Sequence, residues 1–257
     1  MSVCALCGLA KPLKDSHLIP KAAYRHVRDR MEDGGRSPMR VHLNAREAFH
    51  TDAQIKRYLL CNECEQLFSA RGESQVSLMW ATHDNFPLLE QLRCLPSQAG
   101  RRFSMLKSAD IPPRILDSLF YFAASVVWRS NCWDWGRYSS EHKGSLGPSF
   151  EKKFVSFLKG ENSEIKGARL LVTVNTNAEL NGMFGFPYYR RSHSCGFHRF
   201  DVLGLHFCFL LGDNIHPSLS RPFEVMGSKT IVLLSDVAST PAFESMAKRF
   251  YSMFPDE

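Results

Sequence analysis

The sequence has no apolar run approaching the roughly 20 residues that a membrane-spanning helix needs. Its most apolar stretch, residues 202–211, is short and contains His206. The first residues also have neither the basic start nor the apolar stretch of a signal peptide. We therefore expect a cytoplasmic protein with no membrane contact, rather than a secreted or membrane-bound one.

The sequence also lacks internal repeats, coiled-coil heptads and low-complexity tracts. With 44% hydrophobic residues it has enough apolar material for a core, which argues against disorder. Its 257 residues suit one large domain or two modest ones. Residues 95–100 have the composition of a linker, so we predict two domains, residues 1–100 and residues 101–257.

Turn residues and hydrophobic patterns predict the secondary structure of both parts. In the first part, a tight turn and an extended segment lead to a helix over residues 21–31, and a second helix covers residues 59–71. In the second part, helices are predicted over residues 114–129, 149–158 and 241–254. Apolar β-type runs are predicted over residues 168–175, 202–211 and 230–237. The fold class predicted for the whole chain is α+β.

Positive charge is concentrated near the start of the chain. Residues 1–60 contain eleven Lys and Arg against six Asp and Glu, so they carry five of the six net positive charges. A locally basic segment favours a polyanionic partner, of which nucleic acid is the commonest. A solvated basic surface without a partner is the alternative.

Four of the eight cysteines form two Cys-x-x-Cys pairs, Cys4 with Cys7 and Cys61 with Cys64. Two intervening residues allow both thiolates of a pair to point at one ion, and two pairs complete a tetrahedral structural zinc site. In a reducing compartment such cysteines are thiols or metal ligands rather than disulfides. The alternatives are ordinary buried cysteines or a single redox pair.

Three pieces of the first 75 residues resemble the HNH, or ββα-metal, endonucleases. They are the first cysteine pair, the segment Ser16-His17-Leu18-Ile19-Pro20-Lys21, and the segment Leu59-Leu60-Cys61-x-x-Cys64-Glu65. In that family a β-hairpin and a helix clasp a catalytic metal ion, and zinc-binding turns often brace them. The resemblance implies a zinc-braced ββα-metal module, with His17 as the general base that activates water against a phosphodiester.

The chain departs from the family pattern at the positions expected to hold the catalytic ion. Ser16 stands where the family usually has Asp before its histidine, and Asp15 is shifted by one position. Glu65 follows the last cysteine where Asn or His is usual, and it is a competent ligand for a hard cation such as Mg²⁺. Asn44 is the candidate for the middle asparagine of the family motif.

Each of these residues has a structural alternative. His17 could bond the backbone of the cysteine turn or replace a cysteine as zinc ligand, and Glu65 could be an acid favoured by the helix dipole. Asp15 and Asn44 fit turn and cap positions as well as ligand positions.

The resulting hypothesis is a metal-dependent HNH-type endonuclease acting on DNA, with structural zinc and a catalytic divalent ion. Bacterial nucleases of this kind often act in defence or as toxin-like effectors. The alternative is a non-catalytic zinc module that binds nucleic acid or a protein partner. Residues 101–257 are compatible with substrate recognition, self-association into a homo-oligomer, or binding of a partner protein.

Overall fold

A computed structural model of the protein describes residues 2–28, 37–42, 45–136, 142–192 and 194–253. Asn44 lies outside these ranges, so its predicted role as a site residue is left as a prediction. No helix within these ranges has both the length and the apolar character required to cross a membrane.

The first part of the chain is built around a two-stranded antiparallel pairing of β1 with β4. Its elements are, in chain order, β1 (Leu13–His17), α1 (Lys21–Tyr24), β2 (Met39–His42), β3 (Glu47–His50), β4 (Lys56–Cys61), α2 (Asn62–Phe68), a π-helical turn (Ser69–Glu73), α3 (Ser74–Val76) and α4 (Pro87–Arg93). Strands β2 and β3 form a separate antiparallel hairpin between β1 and β4 in the chain.

Two helix boundaries predicted from sequence are wrong. The helix expected from residue 59 begins at Asn62, because residues 59–61 complete strand β4 opposite β1. The helix expected over residues 21–31 ends at Tyr24 and is followed by turns as far as residue 28. Only Ala23 of α1 is buried, and a short helix without a packed face is marginal in water.

The second part of the chain contains a seven-stranded mixed sheet with the order β5-β6-β11-β7-β10-β9-β8. Its strands are β5 (Ser97–Ala99), β6 (Ser104–Leu106), β7 (Ala168–Asn175), β8 (Phe184–Arg191), β9 (Gly196–Val202), β10 (Leu205–Leu211) and β11 (Thr230–Ser235). Strands β11 and β7 are parallel, and the other neighbours are antiparallel.

The mixed α+β character predicted from sequence is therefore present, with two local differences. Residues 95–100 are not a free linker, because Ser97–Ala99 pairs with β6 at the sheet edge. The single strand expected over residues 202–211 is divided, because Leu203 and Gly204 turn the chain with φ of 47° and 80°. Two central residues with positive φ are typical of a tight hairpin turn. The division into domains at residue 100 stays a prediction.

The remaining helices are α5 (Pro113–Cys132), α6 (Gly147–Lys159), α7 (Pro217–Val225) and α8 (Pro241–Tyr251). Helix α5 is buried on both sides. Its Phe122 ring lies 5.5 Å from that of Phe207 in β10, and its Trp128 ring lies 5.8 Å from that of Phe68 in α2. One continuous core therefore joins the sheet, α5 and the N-terminal elements.

Gly72, in the π-helical turn, permits the close approach of that turn to α5. A Cβ atom at this position would lie 2.9 Å from Cδ1 of Tyr121 and 3.2 Å from the backbone N and Cα of Phe122. The Phe122 backbone is part of a long helix, so it cannot move aside without displacing its neighbours.

We predict that Gly72→Ala destabilises the protein by about 1–3 kcal/mol, the usual cost of inserting a carbon into a packed interior. Urea denaturation followed by circular dichroism measures the change. Gly182→Ala is the control, because its added Cβ would meet nothing nearer than 3.7 Å. Equal stability of the two variants would show that α5 and the π-helical turn are not in close contact.

Candidate zinc centre and adjoining cavity

The four cysteines of the two Cys-x-x-Cys pairs lie together in the fold. The sulfur atoms of Cys4, Cys7, Cys61 and Cys64 are all within 4.8 Å of one another, and those of Cys7 and Cys61 are 3.9 Å apart. Sulfurs around a tetrahedral zinc ion, with Zn–S near 2.3 Å, are separated by about 3.8 Å. The cluster can therefore hold a structural zinc ion with small adjustments.

The first pair sits in a turn that its own backbone closes. The N–H of Cys4 donates to the carbonyl of Leu9 at 3.0 Å, and the N–H of Gly8 donates to the carbonyl of Cys4 at 2.9 Å. Gly8 has φ of 71°, a conformation that glycine adopts without the strain of a side chain. The turn thus presents Cys4 and Cys7 on one side.

The second pair straddles the junction of a strand and a helix. Cys61 is the last residue of β4, and Cys64 lies in the first turn of α2. The N–H of Ala5 donates to the carbonyl of Leu59, and the N–H of Cys61 donates to Sγ of Cys4 at 3.3 Å. These backbone bonds hold the two pairs in register, so the cluster does not depend on side-chain positions alone.

The thiols differ in how readily they ionise. Burial raises the pKa of Cys4, but backbone hydrogen bonds from Cys7, Cys61 and Leu6 outweigh it and bring the pKa to about 7. Burial raises the pKa of Cys61 and, more strongly, that of Cys64. A cation would offset the cost of ionising these buried thiols, and its binding would release protons.

His17 ends strand β1, and its ring is held by a partner from the loop before β4. Its Nε2 lies 2.7 Å from Oε1 of Gln54, so Nε2 donates and the neutral ring keeps its lone pair on Nδ1. The ring of Tyr24 lies 6.2 Å away, and its hydroxyl accepts a hydrogen bond from the N–H of Ile55. His17 is therefore half-buried, oriented and capable of accepting a proton.

A cavity of about 290 Å³ adjoins the cysteine cluster and brings His17 and Glu65 together. It is lined by His17, Pro20, Lys21, Glu65, Gln66, Ser69, Glu73 and Arg129. Oε1 of Glu65 is buried without a hydrogen-bond partner. An unpartnered carboxylate oxygen is costly unless a cation or donor reaches it, so Glu65 is available as a ligand.

Among the described residues, Asp15 was also predicted as a ligand, and it does not join this cavity. The carboxylate of Asp15 is 2.6 Å from Nζ of Lys56 in β4, and Asp15 is absent from the cavity wall. Ser16 is buried, and its hydroxyl accepts a hydrogen bond from the N–H of Leu60 at 3.2 Å. The bulge between Lys14 and Asp15 sets which of these side chains faces inward.

Two further residues of this site, Gln54 and Arg129, were not assigned to it from sequence, and Glu73, just past the predicted helix, was a weaker ligand candidate than Glu65. Glu73 and Arg129 form a buried ion pair that links the π-helical turn to α5. The signal for Arg129 was its position directly after the apolar run of residues 120–128, because a charged residue in a predicted buried helix is rare without a partner. Gln54 carried no comparable signal, because a loop glutamine is usually solvated.

Comparison with models of protein families, with curated proteins and with solved structures found no match to this chain. The assignment of a role to the site consequently depends on its own geometry. Among the residues described, the four cysteines are the one group of three or more metal-ligating side chains close enough to share an ion.

We predict that Cys64→Ser loses bound zinc and unfolds the N-terminal elements, because structural zinc contributes on the order of 10 kcal/mol to the folding of small modules. Metal analysis and thermal unfolding of protein purified under reducing conditions measure both effects. Cys94→Ser is the control, because Cys94 is exposed and outside the cluster. Parent protein that contains no zinc would contradict the assignment.

Proposed function

We propose that the protein is a metal-dependent endonuclease of the HNH type that hydrolyses phosphodiester bonds in DNA. The observation that carries the proposal is that His17 and Glu65 line one cavity next to the cysteine cluster. One residue can accept a proton and the other can hold a hard cation, and metal-assisted phosphodiester hydrolysis with a general base uses both. A module that only binds a partner has no need for this pairing.

His17 serves as the general base in this proposal. The hydrogen bond from Nε2 to Gln54 leaves Nδ1 as the atom that takes a proton from the attacking water. The strand end and the buried residues that follow it, Leu18 and Ile19, hold the ring in place. A fixed base spares the reaction part of the entropy cost of bringing it to the water.

Glu65 serves as the protein ligand of a divalent cation. Glu65, whose Oε1 is unpartnered, lines a cavity that Glu73 also lines, although Glu73 is engaged by Arg129. Magnesium is usually held by one or two carboxylates, with waters and substrate phosphate oxygens completing its shell. When bound, such a cation supplies positive charge to the developing oxyanion.

The basic N-terminal segment supports a nucleic-acid substrate. Lys21 lines the cavity, and the five net positive charges of residues 1–60 favour approach of a polyanion. Phosphate contacts of this kind position a strand without reading its bases. We therefore propose DNA as substrate without assigning a sequence preference.

We predict that His17→Ala lowers the rate of Mg²⁺- or Mn²⁺-dependent DNA cleavage by about 10²–10⁴, the usual contribution of a general base, while zinc content and folding are retained. Gel-based cleavage of a plasmid, with and without EDTA, measures the rate. His83→Ala is the matched control, because His83 is exposed and outside the cavity.

Two results of this experiment would contradict the proposal in different ways. A His17→Ala protein that cuts as fast as the parent would remove His17 from the reaction. A parent that binds DNA but never cuts it with either cation would favour the alternative, a non-catalytic zinc module that binds nucleic acid.

We predict that Gln54→Ala lowers kcat by about tenfold and leaves KM unchanged, because Gln54 orients His17 and does not contact substrate. The comparison variant is Gln75→Ala, since Gln75 is an exposed glutamine of α3. A Gln54→Ala enzyme with unchanged kcat would show that the loop contact does not position the base.

A further inference from the structure

Arg129, on α5, is the one lysine, arginine, aspartate or glutamate that is fully buried among the described residues, with 1% of its surface exposed. The helix around it is otherwise lined with apolar and small polar side chains. A charged side chain in such a place is expensive unless its hydrogen bonds are satisfied. The groups around the Arg129 guanidinium therefore indicate which ligand it binds.

The guanidinium is held in a fixed orientation on two sides. Nη2 donates to Oε1 of Glu73, in the π-helical turn. The ring of Phe68, from α2, lies 4.9 Å from the guanidinium carbon, which is cation–π distance. Both contacts come from the zinc-braced part of the chain, so the guanidinium is placed relative to the cysteine cluster.

These contacts do not satisfy the guanidinium. Nε and Nη1 are buried and have no hydrogen-bond partner. Buried donors in folded proteins are nearly always paired, and an exception calls for a ligand, an ion or a water. The carboxylate of Glu73 thus engages only one nitrogen of Arg129, and the N–H groups of Nε and Nη1 remain unused.

The acceptor that fits these donors follows from the cavity. Arg129 forms part of the same wall as His17, Glu65 and Lys21. A carboxylate of the protein already pairs with Nη2, so the missing acceptor is a second anion that enters from outside. A guanidinium, with several N–H donors in one plane, suits the oxygens of a phosphodiester.

We propose that Arg129 binds a non-bridging oxygen of the phosphodiester in the His17 cavity, so that α5 completes a site begun by the N-terminal elements. The inference rests on the proposed nuclease function for the identity of the anion. It assigns a role to part of residues 101–257: this region contributes a phosphate-binding residue to the site as well as a scaffold.

The test separates DNA binding from cleavage in Arg129→Lys and Arg129→Met. Binding of a fluorescent DNA duplex with Mg²⁺ is measured by anisotropy in the His17→Ala background, and kcat/KM is measured with His17 present. Arg199→Met is the matched control, because Arg199 is a half-buried arginine of β9 that also has an unpartnered Nε and lies outside the cavity.

We expect Arg129→Lys to keep its zinc and fold, since an ammonium can still pair with Glu73. Its kcat/KM should fall by roughly 100-fold and its affinity for the duplex by about tenfold, because the planar donor set is lost. The control should resemble the parent. A duplex carrying uncharged methylphosphonate linkages should bind the parent and Arg129→Lys equally.

The outcomes distinguish this inference from the proposed function. If the parent cuts DNA and a folded Arg129→Lys cuts and binds equally well, the inference is overturned and the nuclease remains. If the parent never cuts but binds DNA with Arg129-dependent affinity, the anion site stands and the nuclease proposal falls.

If both arginine variants fail to fold, Glu73→Gln still tests the inference. That change keeps an acceptor for Nη2 and removes one negative charge beside the phosphate, so duplex affinity should rise several-fold. If Glu73→Gln binds the duplex with the same affinity as the parent, the inference is overturned, because Arg129 then serves only to pair with Glu73.

Discussion

The convergence of four thiols at one point is the constraint on which the candidate site depends. It joins the first turn of the chain to the junction of β4 and α2, two segments separated by more than fifty residues. Because β1 pairs antiparallel with β4, the junction lies opposite Leu13, at the start of β1, and His17 lies opposite Lys56. His17 and Glu65, one residue after the last cysteine, line one cavity. A zinc ion at the cluster would hold this arrangement against the entropy of the intervening chain.

A second constraint joins this module to the rest of the molecule. Helix α5 is buried between the large sheet and the π-helical turn, and the missing side chain of Gly72 lets the two backbones approach. The approach places Glu73 against Arg129 and Phe68 against Trp128. π-helical turns often occur at functional sites, where the extra residue re-aims a side chain. Here the turn carries one half of the ion pair in the cavity wall.

The features that could be predicted from the sequence are those that depend on residues close together in the chain. Two Cys-x-x-Cys pairs predict a metal cluster, and the structure brings their sulfurs together. His17 and Glu65 were proposed because they occupy positions that the resemblance to the HNH endonucleases marks as functional. The helix predicted from residue 59 was wrong because strand pairing with β1 overrode a run of residues that suits either conformation. Asp15 was the candidate ligand nearest to His17, but a bulge turns it toward Lys56.

Local spacing thus sufficed for the cysteine cluster and the mixed α+β character of the chain, because each is encoded within a few residues. His17 as candidate base came from the resemblance to the HNH endonucleases. The composition of the cavity wall, in contrast, could not be predicted from local spacing. Gln54 holds His17 from a loop, and Glu73 and Arg129 reach the wall from a π-helical turn and a helix that are far apart in sequence. The meeting of Glu73 and Arg129 depends on how α5 packs against the N-terminal elements, and such long-range packing leaves no periodic or motif-like trace in one sequence. An arginine in a predicted apolar helix was the one sign of this packing in the sequence.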